Sequence, residues 1–334
     1  MLRDIQKGDD PQIMAFGQVM AHAAPDIVVL QSVDFDADLT TLNALNASLE
    51  PAMARYPYVF ARRPNTGRVS GFDMNGNGRL GEAQDAHGYG TFAGQGGMAI
   101  LSRWPIEEDL ITDFTALLWQ DLPDARRPLY EDGTPFPSPD AAAAIRLSTT
   151  AHWAVPVRTK DGGLLTVLTM HASPPVFDGP EDRNGLRNAN ELELWMRFLD
   201  GGLADRPPTE RFVIAGDANA DPVDGESVKE AINALLNHPL LQDPQPSSPG
   251  ATSASERQQG INRDHAGDPS HDTADWRDLP GPGNLRVDYI LPSRDLGVVA
   301  SGVLWPGPDA DSALLQSVVT ASRHRLVWVD INLH

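Results

Sequence analysis

Short apolar runs of strand length recur along the chain, separated by segments of helical period and by polar stretches rich in Pro and Gly. The runs 26–33, 58–62, 97–101, 164–171, 212–216, 286–291 and 326–333 predict buried strands. A helical pattern covers 11–23. Another follows Asn188, where an Asn cap with Glu191 three positions on precedes Leu192, Trp195, Met196 and Leu199 on one face. A further helix is predicted over 225–236. Strands interleaved with helices point to a mixed α/β domain rather than a bundle.

The polar stretches 65–96, 121–144 and 244–282 read as long surface loops rather than linkers, because strand and helix signals resume on both sides without a change of composition. The expectation is a single domain over 1–334, with a site built where the loops gather at one end of a sheet.

Two strand ends carry chemistry. The run from Phe212 to Ala215 leads through Gly216 into Asp217-Ala218-Asn219, a carboxylate able to activate water two residues from an amide able to hydrogen-bond a developing oxyanion. A lone match of this kind is more often an Asx turn. Near the C-terminus, Asp288 interrupts an apolar strand, and a buried aspartate needs a partner. His324, in Ser322-Arg323-His324-Arg325, is available to be oriented by it.

Charge narrows the substrate. The 26 Lys plus Arg stand against 46 Asp plus Glu, a formal net charge of −20. Such a surface repels a nucleic-acid backbone at long range, and no Lys/Arg run offsets it. A dedicated duplex-nucleic-acid binder is therefore disfavoured. The absence of cysteine removes disulfides and thiolate zinc sites. No apolar run reaches the length of a membrane span. No signal peptide is present in the sequence as given; a periplasmic or secreted location is expected if the true N-terminus lies upstream.

The segments Gly97-Met98-Ala99-Ile100-Leu101-Ser102-Arg103-Trp104-Pro105-Ile106, Met170-His171-Ala172-Ser173-Pro174-Pro175, Gly216-Asp217-Ala218-Asn219, Arg286-Val287-Asp288-Tyr289 and Ser322-Arg323-His324 occur in the order seen in the endonuclease/exonuclease/phosphatase superfamily, which the chain resembles from Asp26 to Leu333. The resemblance implies a four-layer α/β sandwich, two packed mixed β-sheets flanked by helices, and metal-assisted hydrolysis of a phosphodiester or phosphomonoester with Mg²⁺ or Mn²⁺. It implies that Asp217 positions or deprotonates the attacking water, that Asn219 stabilises the phosphorane, and that His171 contacts or protonates the scissile phosphate. His324 would bind phosphate with Asp288 orienting it. Arg146 is a candidate phosphate clamp, against the alternative of an exposed arginine on a surface strand.

Three departures bear on the metal. The family usually opens with a strand carrying an asparagine, and none precedes the first helix here; either the start lies further upstream or the strand is lost with part of the metal site. Where the family has a metal-ligating glutamate after the strand Ile27-Val28-Val29-Leu30, this chain has Ser32, a poor Mg²⁺ ligand; Asp34 or Asp36 is the candidate substitute. The aspartate that usually precedes the terminal histidine is Arg323, which would set a fixed positive charge beside a phosphate. These departures keep open a second reading, a degenerate member that binds a phosphorylated ligand or a protein without hydrolysis.

Asp73-Met74-Asn75-Gly76-Asn77-Gly78-Arg79-Leu80 matches the start of a calcium loop, with oxygen ligands at positions one, three and five and Gly at six. Gln84 stands at the twelfth position, with Asp85 next to it. Asp73, Asn75, Asn77 and Asp85 are thus candidate ligands of a structural calcium that orders the loop before Gly97. The alternative is an Asn/Gly turn cluster.

Overall fold

The structure, a computed structural model, describes residues 1–50, 52–278 and 280–333. Its helices are α1 (Leu2–Lys7), α2 (Pro11–Ala23), α3 (Thr40–Ala47), α4 (Pro139–Ala144), α5 (Arg183–Leu199), α6 (Lys229–Leu236), α7 (Pro249–Gln258) and α8 (Ser312–Ala321). Its strands are β1 (Ile27–Val33), β2 (Tyr58–Phe60), β3 (Gly97–Ser102), β4 (Thr112–Asp113), β5 (His152–Arg158), β6 (Leu164–His171), β7 (Phe212–Asp217), β8 (Ala274–Asp275), β9 (Asn284–Leu285), β10 (Asp288–Pro292), β11 (Gly297–Val303) and β12 (Val327–Asn332).

The layers follow from the two-residue alternation of strands. In β3, Met98 and Ile100 enter one apolar cluster and Ala99 and Leu101 another. In β7, Val213 and Ala215 join the cluster that holds Met98 and Ile100, while Phe212 and Ile214 face a third with Leu192, Trp195 and Ile232. The chain is therefore an α/β sandwich of four layers. α1–α3 cover the sheet ordered β1-β3-β2, which packs through the shared cluster on the sheet ordered β10-β7-β6-β5-β4, whose other face is covered by α5 and α6. In the larger sheet only β6 and β7 are parallel. A separate ribbon pairs β11 with β12, and β8 pairs with β9.

Among the described residues the first strand is β1, which follows two helices. β1 pairs only with β3 and β12 only with β11, so each leaves one edge unpaired. Alternate residues of the two strands enter the same cluster, Ile27 and Val29 from β1 and Ile331 from β12.

Three expectations need correction. Asn188 is no N-cap: α5 begins at Arg183, more than a turn earlier, and Asn188 and Glu191 are buried inside it. Their polar side chains bond to neighbouring turns rather than to the helix end, and that tertiary use imitates a capping box. The helix predicted from Gly225 starts at Lys229, because Gly225 holds φ 72. The stretches 121–144 and 244–282 are not loop throughout: Ser138 caps α4 by accepting from Ala141 N and Ser248 caps α7 by accepting from Ala251 N, with Pro139 and Pro249 at the first helical positions.

Candidate active site

Sheet register assembles the site. His171 ends β6 and is paired with Asp217, which ends β7; Asp217 is in turn paired with Asp288, which opens β10. Three adjacent strands thus set a histidine and two aspartates in one row. Gly216 permits this closeness, since a Cβ there would lie 2.1 Å from Met170 O. His324 joins the row from the far end of the chain, held by a bridge to Ala274.

Ligand atoms of Asp217, Asp288 and His324 lie within 4.8 Å of one another, the one such group of acidic and histidine residues found among the described residues. His324 Nδ1 lies 3.0 Å from Asp288 Oδ2 and 3.8 Å from Asp217 Oδ2. His171 Nε2 lies 3.5 Å from the same Asp217 oxygen. Asn219 holds φ 48, donates its backbone N–H to Asp217 Oδ1 at 2.8 Å and its Nδ2 to Ala172 O at 2.9 Å. One proton of its amide and its Oδ1 are left for a ligand.

The electrostatics separate the roles. Burial, then the neighbouring Asp288, pushes Asp217 up to about 7. Burial opposes charge on His324, but Asp288 and then Asp217 outweigh it and raise the imidazole to about 9. Burial, then the charge on His324, lowers His171 to about 4. At neutral pH the site thus holds a poised carboxyl, an imidazolium paired with Asp288, and a neutral imidazole.

Several residues that support this site gave no sign in the sequence. Thr273 Oγ1 accepts from Val287 N and Asp288 N and donates to Asp288 Oδ2. Trp276 sets its ring edge-on to His324. Asn188 Nδ2 donates at 2.7 Å to both Ser173 O and Ala218 O, tying the turn after His171 to the turn after Asp217. Glu191 accepts from Thr149 N and Ser173 N. The turn residues are short-range signals; their tie to α5 is not.

Other candidates lie elsewhere. Ser32 sits exposed at a bulge of β1 with φ 59, while its neighbour Gln31 reaches Met170 O. Asp36 accepts from Thr40 N and Thr41 N at the start of α3, and Asp34 accepts from Gly96 N. Neither belongs to the Asp217 group, and both carboxylates are otherwise engaged. Arg323 is exposed beside His324. Arg146 is half-buried, bridged to Leu118, and donates to Asn65 Oδ1. In the loop at 73–85, Asp73 accepts from the amides of Asn75, Gly76, Asn77 and Gly78, and Asn75 Oδ1 accepts from Asn77 N. Asp85 accepts from Met74 N and Glu82 N. These oxygens close turns on their own backbone.

The donor set fits a hard divalent cation in part. Asp217 is 3% exposed, accepts one backbone hydrogen bond and faces a second carboxylate, an arrangement that a cation would relieve. Asp217, Asp288 and Asn219 Oδ1 supply oxygen ligands of the kind Mg²⁺ takes, and Ser32 leaves the set without a glutamate.

A profile of the Endonuclease/Exonuclease/phosphatase family matches residues 6–324. None of the curated proteins matches the sequence significantly. Among solved structures, an endonuclease/exonuclease/phosphatase from Beutenbergia cavernae superimposes with a TM-score of 0.56 at 18% identity, over 97% of this chain and 66% of that one. A 3'-5' exonuclease from Neisseria meningitidis gives 0.48 at 15% identity, over 96% and 95%. A beta toxin variant from Staphylococcus aureus with bound magnesium ions gives 0.46 at 14%, over 97% and 89%.

Proposed function

The chain belongs to the Endonuclease/Exonuclease/phosphatase family, and from that premise we propose that it hydrolyses a phosphate ester at the group formed by Asp217, Asn219, Asp288, His324 and His171. The observation that carries the proposal is the convergence of Asp217, Asp288 and His324, whose ligand atoms lie within 4.8 Å of one another, with His171 3.5 Å from Asp217; burial and Asp288 raise Asp217, and, against burial, Asp288 raises His324.

In this reading Asp217 accepts the proton of a water whose oxygen bonds to phosphorus. The ester P–O bond breaks, and the leaving oxygen takes a proton from the His324 imidazolium. Asp288 holds that imidazolium by Nδ1, so Nε2 faces the phosphate. Asn219 and neutral His171 donate hydrogen bonds to phosphate oxygens as charge gathers there. A divalent ion, Mg²⁺ by preference, would be held by Asp217, Asp288 and Asn219 and would neutralise the phosphate. Arg323, exposed next to His324, would contribute fixed positive charge from the rim. The strongly acidic chain favours a small or lipid-like phosphate ester over duplex nucleic acid.

A second reading, binding of a phosphorylated ligand without turnover, is favoured by Ser32 and by the engagement of Asp34 and Asp36 elsewhere. Hydrolysis of bis(p-nitrophenyl) phosphate and p-nitrophenyl phosphate, with Mg²⁺ or with chelator, separates the two. Metal-dependent turnover lost in Asp217→Asn supports the enzyme. Folded protein that binds phosphate but turns over neither ester establishes the binder.

A further inference from the structure

We infer that Arg68, Arg146 and His87 form a second anion subsite, which holds a further phosphate group of the ligand next to the reacting centre. Its identification as a phosphate subsite rests on the reading of the chain as a phosphoesterase; its existence as an anion site does not.

The frame is built around Asn65, which is 0% exposed. Asn65 Nδ2 donates at 2.7 Å to Thr115 O and Ser148 O, and its Oδ1 accepts from Arg146 Nη1 at 3.1 Å. Asn65 O accepts from Arg68 N, and Arg68 O accepts from His87 N. Arg187 closes the frame from below, donating to both His87 O and Arg146 O. Three basic residues far apart in sequence are in this way brought together around one amide, Arg146 by its side chain and Arg68 and His87 by their backbones.

What Arg68 and Arg146 lack is a direct ion pair: Asp113, which pairs with Arg62, acts on Arg146 only at longer range. Among the described residues no carboxylate lies within ion-pair distance of Arg68 or Arg146, although acidic residues outnumber basic ones in the chain by 46 to 26. Arg62, Arg158, Arg211, Arg286 and Arg325 each have such a partner. Two buried polar atoms in the same frame also lack partners, His87 Nδ1 and Thr66 Oγ1, on residues 8% and 7% exposed. Burial first, then the charges on Arg146, Arg187 and Arg68, hold His87 down to about 4. Like charges held together in a partly desolvated place are costly, and an anion bound between them removes the cost. Guanidinium groups match the oxygens of a phosphate in particular, by paired N–H donors. Both arginines are half-buried, which leaves them open to a ligand.

The subsite adjoins the reacting row. Gly88, next to His87, packs its backbone against Thr149 O, where an added Cβ would come within 1.9 Å. The hydroxyl of Thr149 bonds that of Ser173, two residues beyond His171. A ligand spanning the two places would carry one phosphate at His324 and another at Arg68 and Arg146.

The test is a titration of the full chain with inorganic phosphate in chelator, followed by NMR of its histidine side chains. His87 is expected to respond saturably, and Arg68→Gln and Arg146→Gln are each expected to weaken that response at least about tenfold. In Asp217→Asn the His87 response persists. A His87 signal indifferent to phosphate, or one equally responsive in folded Arg68→Gln protein, overturns the subsite. Should Arg146→Gln fail to fold, Arg68→Gln decides alone, because the Arg68 side chain makes no hydrogen bond within the frame. Absence of ester hydrolysis with the His87 response intact would remove the proposed reaction and leave the subsite standing.

Discussion

Thr273 donates its hydroxyl to Asp288 Oδ2 at 2.8 Å while accepting the backbone N–H groups of Val287 and Asp288. One side chain therefore fixes both the backbone and the carboxylate of the residue that orients His324. Thr273→Val keeps the shape and removes the hydroxyl. A hydrogen bond to a charged group contributes about 1.5–3 kcal/mol, so kcat is expected to fall by about ten- to a hundredfold with KM little changed. Thr273→Ser should restore most of it. Steady-state kinetics of the three proteins decide the matter; unchanged kcat in Thr273→Val would show that Asp288 needs no such support.

The pH dependence of hydrolysis follows from the two raised groups. Asp217 must be ionised to take a proton, so the acid limb lies near pH 7 without metal, and a cation held at Asp217 moves it to lower pH. His324 must be protonated, so activity falls as pH passes about 9. A bell is expected in kcat/KM, with both limbs moving to lower pH as Mg²⁺ is raised. Loss of the lower limb in a variant other than Asp217→Asn would assign the base elsewhere.

Metal removal should register in stability as well as activity. In chelator, folded Asp217 keeps its proton up to about pH 7, whereas the unfolded residue loses it near about pH 4. The fold then binds the extra proton, and its stability falls as pH rises between these values. Mg²⁺ is expected to raise the Tm at pH 8 by a few °C, and Asp217→Asn in chelator to do the same while abolishing turnover. A Tm indifferent to Mg²⁺ would count against a metal at this row.

Asn188 connects two catalytic turns from inside α5. Asn188→Leu leaves Ser173 O and Ala218 O without a donor, at about 1–3 kcal/mol for each buried group, so unfolding in urea should shift to a lower midpoint. The turns bear His171 and Asp217, so kcat should fall at temperatures where the variant is fully folded. Full activity in a merely less stable protein would restrict Asn188 to stability.

Asp272, the residue before Thr273, gives a test of stability outside the reacting row. Burial, then Asp221, Asp224 and Asp268, raises its carboxyl to about 8. Folded protein thus holds a proton that the unfolded chain releases near about pH 4, and stability declines as pH rises between the two. Asp272→Asn should melt a few °C above the native chain at pH 8.5 and converge with it at acid pH, by thermal denaturation. Equal melting at both values would mean that the carboxyl is solvated.

Part of this was legible in the amino-acid sequence, which by itself determined β1, β2, β3, β6, β7, β10 and β12 and the residues at their ends, but not β5 or β11 or the order of strands in the sheets. Asp217-Ala218-Asn219, Asp288 and His324 stand out because strand alternation and turn chemistry are local, and a lone acid in an apolar strand is a local anomaly. α5 shows the limit: its polar residues Asn188 and Glu191 look like a cap in one dimension, and only the fold reveals that they bond to turns after β6, after β7 and before β5. Asp34 and Asp36 are near in sequence to Ser32, yet amide donors of a loop and of a helix claim them. The row of His171, Asp217 and Asp288 came from inter-strand register, and the gathering of Arg68, His87 and Arg146 came from Asn65 hydrogen bonds across four segments. Neither leaves a periodic trace, because register and side-chain bridging depend on the spacing between chain segments, which only tertiary packing sets.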